Sequence, residues 1–122
     1  MYTIPRKKLV KIAFKVLAQA DDEGAEISAA DRGHLLYAAC TVEQIALGSW
    51  VINKNCGCLV GSMLLAETKP SKRAELDDDT AFALADSRGL LRISWNFDDR
   101  LRDYIHAEFS DEPSAGIVRV KD

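Results

Sequence analysis

The sequence predicts a mainly α-helical protein: a single compact domain, residues 1–122, of four to five helices with a small two- or three-stranded β element. Apolar residues recur at helical spacing in several segments, and capping residues stand before those segments. The β-branched stretches are few and short. A chain of this length buries roughly two thirds of its unfolded surface, so its core requires neither a metal nor a cross-link.

The first predicted helix follows Thr3, which can cap it, and Pro5, which suits a first turn. Its apolar residues fall every three or four positions and predict one buried face: Leu9, Ile12, Ala13, Val16, Leu17 and Ala20. Its cations stand near the start and its acids, residues 21–23, near the end. That is the reverse of what the helix dipole favours, at a cost of about 0.3–1 kcal/mol per charge. Because local rules are often broken at contacts, this end of the helix is a candidate surface.

A second helix is predicted from Ser28, which forms a capping signal with Asp31, along an apolar stripe that continues toward Gly48. The stripe consists of Leu35, Ala38, Ala39, Val42, Ile45 and Ala46. A second capping pair inside it would allow a break near Cys40. Residues 49–52 (SWVI) are aromatic and β-branched, and they predict a brief strand before a turn.

Residues 57–67 predict a third helix that is apolar almost all round and is therefore buried. Its small face would let a neighbouring helix approach closely, and consists of Gly57, Cys58, Gly61 and Ser62. Residues 69–79 predict a polar loop, and residues 80–87 a short helix that ends at Gly89.

Residues 90–95 (LLRISW) predict another strand, after which Asn96 can cap a final helix with one apolar side. Residues 116–121 (GIVRVK) predict an edge strand. Such an edge would allow a homodimer by sheet extension.

Composition narrows the class of protein. Three cysteines cannot complete a disulfide framework, and no secretory leader precedes them, so we expect a cytoplasmic protein. No stretch approaches the ~20 apolar residues that a membrane span needs, so no membrane partner is expected.

The net charge of −3 is unevenly distributed, since residues 1–20 carry +5 and the remainder carries −8. The candidate binding surface is the basic end of the first helix: Arg6, Lys7, Lys8, Lys11 and Lys15. It would suit an acidic protein partner or a phosphate backbone, although lysines that pair with the protein's own acids would give the same pattern.

The cysteines are candidate metal ligands. Cys56 and Cys58 could be joined by His34, Cys40 or His106 in a tetrahedral set. However, a C-x-C pair at the start of a helix points its side chains roughly 200° apart, and no second pair is present. We therefore expect no metal site and no cofactor.

Cys58 is also a candidate nucleophile, since a position in the first turn of a helix lowers the pKa of a thiol. A cysteine enzyme needs a histidine base, and only His34 and His106 are available. The acidic runs at residues 77–79 and 98–99 suit helix N-termini, and no phosphate-binding loop or hydrolase motif occurs. We therefore predict no catalytic residue.

The order of features resembles a known group of sequences. Trp50 precedes a cysteine-containing turn (NCGC, residues 55–58) that runs into a small-residue helix (LVG, residues 59–61), and "ALADSRGLL" and "NFDDRLRD" follow. This order resembles small uncharacterised helical proteins of actinobacteria and their phages, over residues 30–109. The resemblance implies a helical fold and a phage or accessory-gene origin, but no activity.

The sequence thus predicts a non-catalytic, cytoplasmic module that binds a protein partner, for example as an accessory regulator or inhibitor of a host protein. Two alternatives stay open: a nucleic-acid-binding regulator that uses the basic first helix, and a thiol-dependent enzyme centred on Cys58.

Overall fold

The computed structural model describes residues 2–122, which form five α-helices, one 3-10 helix and five short strands. The helices are α1 (Arg6–Asp22), α2 (Ala29–Thr41), α3 (Leu59–Glu67), α4 (Asp78–Ser87) and α5 (Leu91–Phe109), with the 3-10 helix at Pro70–Glu75. The strands are β1 (Tyr2–Pro5), β2 (Gln44–Leu47), β3 (Val51–Asn53), β4 (Cys56–Gly57) and β5 (Gly116–Lys121). The predicted mainly α class with a small β element is confirmed.

Helix α1 packs against α2 and α5, and all six residues of its predicted apolar stripe are buried. Its N-cap is Pro5 and provides no side-chain cap, while Thr3 lies in β1, so the predicted Thr3 cap is wrong. The helix has no acid in its first turn and no base in its last. Its charges therefore do oppose its dipole.

Helix α2 begins as predicted, since Ser28 Oγ accepts from the Asp31 N–H at 3.1 Å. It ends at Thr41, and the residues predicted to continue it form β2 instead. Val42 adopts an extended conformation at the C-cap, with φ −64° and ψ 145°. The apolar stripe continues across this break because Ile45 stays buried in the same core.

Strand β5 is the central strand of the three-stranded sheet, which has the order β1-β5-β2. It runs parallel to β1 and antiparallel to β2. The predicted edge strand is therefore wrong, and with both its edges paired β5 offers no place for a second copy. Its burial alternates, with Val118 and Val120 facing the core.

The predicted strand at residues 90–95 is also wrong, because α5 already begins at Leu91 and Asn96 lies inside it. One buried stripe at helical spacing runs the length of α5: Ile93, Ser94, Phe97, Asp98, Leu101 and Ile105. Gly89, at φ 70°, ends α4 as predicted and turns the chain directly into α5.

Helix α3 is buried along Leu59–Leu65, as its composition predicted. Cys58 is its N-cap. The group that packs closely against the small face of α3 is a backbone carbonyl and not, as predicted, a neighbouring helix. A Cβ built on Gly57 or on Gly61 would lie 2.1 or 1.6 Å from the carbonyl oxygen of Trp50. The glycines therefore make room for the chain that leads into β3.

The helices and the sheet enclose one hydrophobic core, to which all five α-helices contribute buried side chains. Among residues 2–122, no helix combines the length and the apolar character that a membrane crossing requires.

Candidate functional site

Arg6 differs from the other four cations of the predicted binding surface. Its guanidinium donates to the carbonyls of Ala39 and Val42, at 3.1 and 2.6 Å, and pairs with Asp122 at 2.7 Å. These contacts tie the start of α1 to the end of α2 and to the C-terminal residue. Arg6 is therefore a structural residue that satisfies orphan carbonyls at a helix end.

The four lysines lie on the outer side of α1. Lys7, Lys11 and Lys15 are exposed and Lys8 is half-buried. Within residues 2–122, none of the four forms an ion pair with an acid. Phe14 stands among them with 57% of its surface exposed. We call these five residues the basic face.

An open groove separates the flank of the basic face from α5. Its volume is about 630 Å³, and it is lined on the α1 side by Lys8 and Lys15. Arg100 and Tyr104 line the opposite side, together with Asp103 and Glu108. The groove thus continues the basic face but adds acids on its far wall.

A second cluster joins α2, α3 and the end of α4. Arg88 donates to both Glu67 carboxylate oxygens, at 2.6 and 3.0 Å, and also to Asp31. His34 Nδ1 lies 2.8 Å from Glu67 Oε1. Arg88, followed by His34, holds the pKa of Glu67 below its ordinary value against the opposing effect of burial.

The ligand atoms of Asp31, His34 and Glu67 lie within 4.8 Å of one another, which is close enough for a metal ion. The Arg88 guanidinium already binds the two carboxylates, however, and a metal ion would have to displace it. The cluster is therefore an internal ion-pair network.

The fold does not bring the candidate zinc ligands together. Cys56 and Cys58 are buried, whereas Cys40 is exposed. His34 pairs with Glu67, and His106 lies near Glu112 on the surface. No group of three ligands among residues 2–122 contains a cysteine.

A cavity of about 240 Å³ lies where the β2–β3 connection meets the N-terminus of α3 and the first half of α5. We call it the tryptophan cavity, because both tryptophans of the chain line it. Its lining residues are Gly48, Ser49, Trp50, Cys58, Ser94, Trp95, Asp98, Asp99 and Arg102. No sequence pattern connects the α5 residues of this cavity with Cys58, because they are more than 30 positions apart in the chain.

Cys58 is held at the floor of this cavity. Its Sγ accepts from the Gly61 N–H at 3.3 Å and lies 3.5 Å from Ser94 Oγ. The pKa of the thiol is raised to about 11, mainly by burial and to a smaller extent by the nearby Asp98, although Ser94 and backbone N–H groups oppose the rise. The pKa lowering predicted from the helix N-terminus is therefore outweighed, and the thiol is protonated at neutral pH.

Asp98 is the least satisfied charged group of the cavity. Only 8% of the residue is exposed, and its Oδ1 accepts no hydrogen bond from residues 2–122. Burial raises its pKa to about 6, against the opposing effects of Arg102 and the backbone N–H of Gly48. Its carboxylate therefore carries a desolvation cost at neutral pH.

Replacing Asp98 by asparagine should stabilise the protein in a pH-dependent way. The pKa of Asp98 is raised from 3.8 in the unfolded chain to about 6 in the folded protein. Stability is therefore lost as pH rises between these two values, by at most ~3 kcal/mol. We expect Asp98→Asn to gain about 2 kcal/mol more at pH ~8 than at pH ~4, measured by urea unfolding. Asp103→Asn, which changes an exposed carboxylate on the same helix outside the cavity, is the control. Equal effects of Asp98→Asn at both pH values would contradict this role of the buried carboxyl group.

The chain matches no protein-family model, and searches of curated proteins and of solved structures give no match either. The resemblance to actinobacterial and phage proteins therefore stays a prediction.

Proposed function

We propose that the protein is a non-catalytic binding module and that the basic face of α1 binds an acidic segment of a protein partner. It would act in the cytoplasm as a regulator or inhibitor. The phage or accessory-gene origin that the resemblance implies would suit such a role against a host protein.

The observation that carries this proposal is the set of unpaired lysines around an exposed phenylalanine. Lys7 and Lys11 lie one turn apart on the exposed side of α1, and Phe14 follows one turn later. Like charges at this spacing repel each other by a few tenths of a kcal/mol. An acidic partner would relieve that repulsion, and Phe14 would provide a large apolar anchor next to the lysines.

Several acids pair with arginines instead of the basic face, and Asp103 and Glu108, which line the groove with Lys8 and Lys15, form no ion pair with these lysines. Asp21 pairs with Arg32, Glu23 with Arg92, and Glu67 with Arg88. This distribution argues against the interpretation in which the lysines merely pair with the protein's own acids.

A protein partner is favoured over a nucleic acid by the rest of the surface. Residues 21–122 carry a charge of −8, which would repel a polyanion that extends beyond α1. Phe14 is a single exposed aromatic among the lysines, whereas strand-binding surfaces stack several bases on several rings.

The proposal is tested by site-specific photo-crosslinking in the native host, with p-benzoylphenylalanine in place of Phe14. The control places the same group at Phe82, an exposed aromatic on α4. We expect one protein to be captured from position 14 and not from position 82. We also expect Lys7→Glu with Lys11→Glu to lower the affinity for that captured protein at least ~10-fold.

The charge-matched control is Lys54→Glu with Lys69→Glu, which changes the net charge equally at exposed positions outside α1. Equal loss of binding in both double variants would show that overall charge, and not the basic face, determines binding. Retention of a short DNA duplex at low salt by the wild type, abolished only by the α1 variant, would support the nucleic-acid alternative instead. Capture of a second copy of this chain would identify a homodimer.

A further inference from the structure

We propose that the tryptophan cavity is a binding site for a small organic cation, a primary ammonium group on a short apolar body, with Asp98 as its counter-ion. This site is separate from the basic face and does not depend on the function proposed for it.

The cavity has the size and the walls for such a ligand. Its volume of about 240 Å³ corresponds to roughly eight water molecules at ~30 Å³ each. Trp50 and Trp95 line it, and tryptophan is the side chain whose ring face attracts cations most strongly. Ser49 and Ser94 line the same space, and a serine hydroxyl group can accept from an ammonium group.

The charge of the cavity selects a cation. Asp98 forms no ion pair with residues 2–122, because the neighbouring Arg102 is directed elsewhere. The Arg102 guanidinium lies 3.6 Å from Asp99 and donates to the Pro113 and Ser114 carbonyls at 3.3 and 3.1 Å. The lining therefore carries two carboxylates and one guanidinium that is already bound.

A ligand of another charge would leave this arrangement unsatisfied. A neutral apolar ligand would leave Asp98 without a partner, and an anion would meet two carboxylates. An ammonium group would supply both the missing positive charge and an N–H donor for the carboxylate.

Binding should depend on pH through Asp98. The groups that face its carboxyl group are Arg102 and Asp99 on α5, the Cys58 thiol on α3 and the Gly48 N–H. The thiol is neutral at neutral pH because its pKa is about 11, so Asp98 is the member of the lining expected to lose its charge near pH 6. Cation binding should therefore weaken as pH falls through that value.

The test uses 2-phenylethylammonium as the probe and 2-phenylethanol as its neutral analogue of the same size. Trp50 and Trp95 are the two tryptophans of the chain, so intrinsic fluorescence reports on the cavity directly. We expect the ammonium probe to bind with a Kd on the order of 1 mM, and the alcohol at least ~10-fold more weakly. Binding of the ammonium should weaken at least ~5-fold between pH ~7.5 and pH ~5.

Asp98→Asn should weaken binding of the ammonium probe at least ~10-fold without unfolding the protein. Asp103→Asn, the same change on the same helix but outside the cavity, should leave it unchanged. The proposal is overturned if the alcohol binds as well as the ammonium, if both variants behave alike, or if ~10 mM ammonium leaves the fluorescence unchanged.

Discussion

Replacing Gly61 by alanine should destabilise the protein by at least ~3 kcal/mol, as an overpacked site without room to adjust does. The added methyl group would lie 1.6 Å from the carbonyl oxygen of Trp50. In an ordinary helix interior the same change stabilises by about 1 kcal/mol. The steric conflict with the backbone should reverse that sign.

The Trp50 carbonyl cannot move freely, because it is fixed from several sides. It accepts from the Cys58 N–H at 3.1 Å, at the start of α3. Asp78 Oδ1 accepts from the Trp50 and Val51 N–H groups at 2.7 and 3.2 Å, and the Trp50 ring packs edge-on against Phe82. Relieving the conflict would separate α3 from the segment that α4 holds in place.

Gly33→Ala is the matched control, because Gly33 lies inside α2 and its added methyl group would meet no atom within 4 Å. We expect Gly33→Ala to raise the free energy of unfolding by about 0.5–1 kcal/mol. Urea unfolding of both variants measures the two effects. Effects of the same sign would show that the close approach of Trp50 to Gly61 does not constrain the fold.

Replacing Arg88 by alanine should lower the free energy of unfolding by about 2 kcal/mol. Removing one partner from a buried ion pair costs roughly 3–5 kcal/mol, and the 28% exposure of the Arg88 side chain reduces that figure. Glu67 and Asp31 would lose the guanidinium that joins them. Carboxylates from two helices would then face each other without the guanidinium between them.

Arg92→Ala removes an arginine four residues later and is the control. Arg92 pairs with Glu23, and the Arg92 side chain is largely exposed. Loss of this ion pair should therefore lower the free energy of unfolding by less than ~0.5 kcal/mol. Both variants can be compared by urea unfolding at neutral pH. Equal costs would mean that the network contributes no more than a surface pair.

The Arg88 variant should also change the response to acid. Because the pKa of Glu67 is held below 4.5, its contribution to stability is present above that pH and is lost as pH falls through the lowered value. Without Arg88 that loss should shrink. A wild-type acid profile that Arg88→Ala leaves unaltered would contradict this role.

Local sequence patterns were sufficient to predict those features that depend on residues close together in the chain. The stripe of α1, the Ser28 cap and the buried character of α3 depend on residues that are near neighbours along the chain, and each was predicted correctly. The predicted strand at residues 90–95 failed because a short apolar run fits a strand and a helix equally well. Its helical structure becomes evident only with the full stripe of α5.

The sequence by itself determined the mainly helical class, the uneven charge and the basic residues of α1. Only the tertiary structure decided that Arg6 closes the end of α2, that β5 lies between two strands, and that Cys58 shares a cavity with Asp98. Composition and periodicity describe which face of an element is apolar. They carry no information about which distant residues pack together, and it is such packing that leaves the Asp98 carboxyl group buried without a full set of partners.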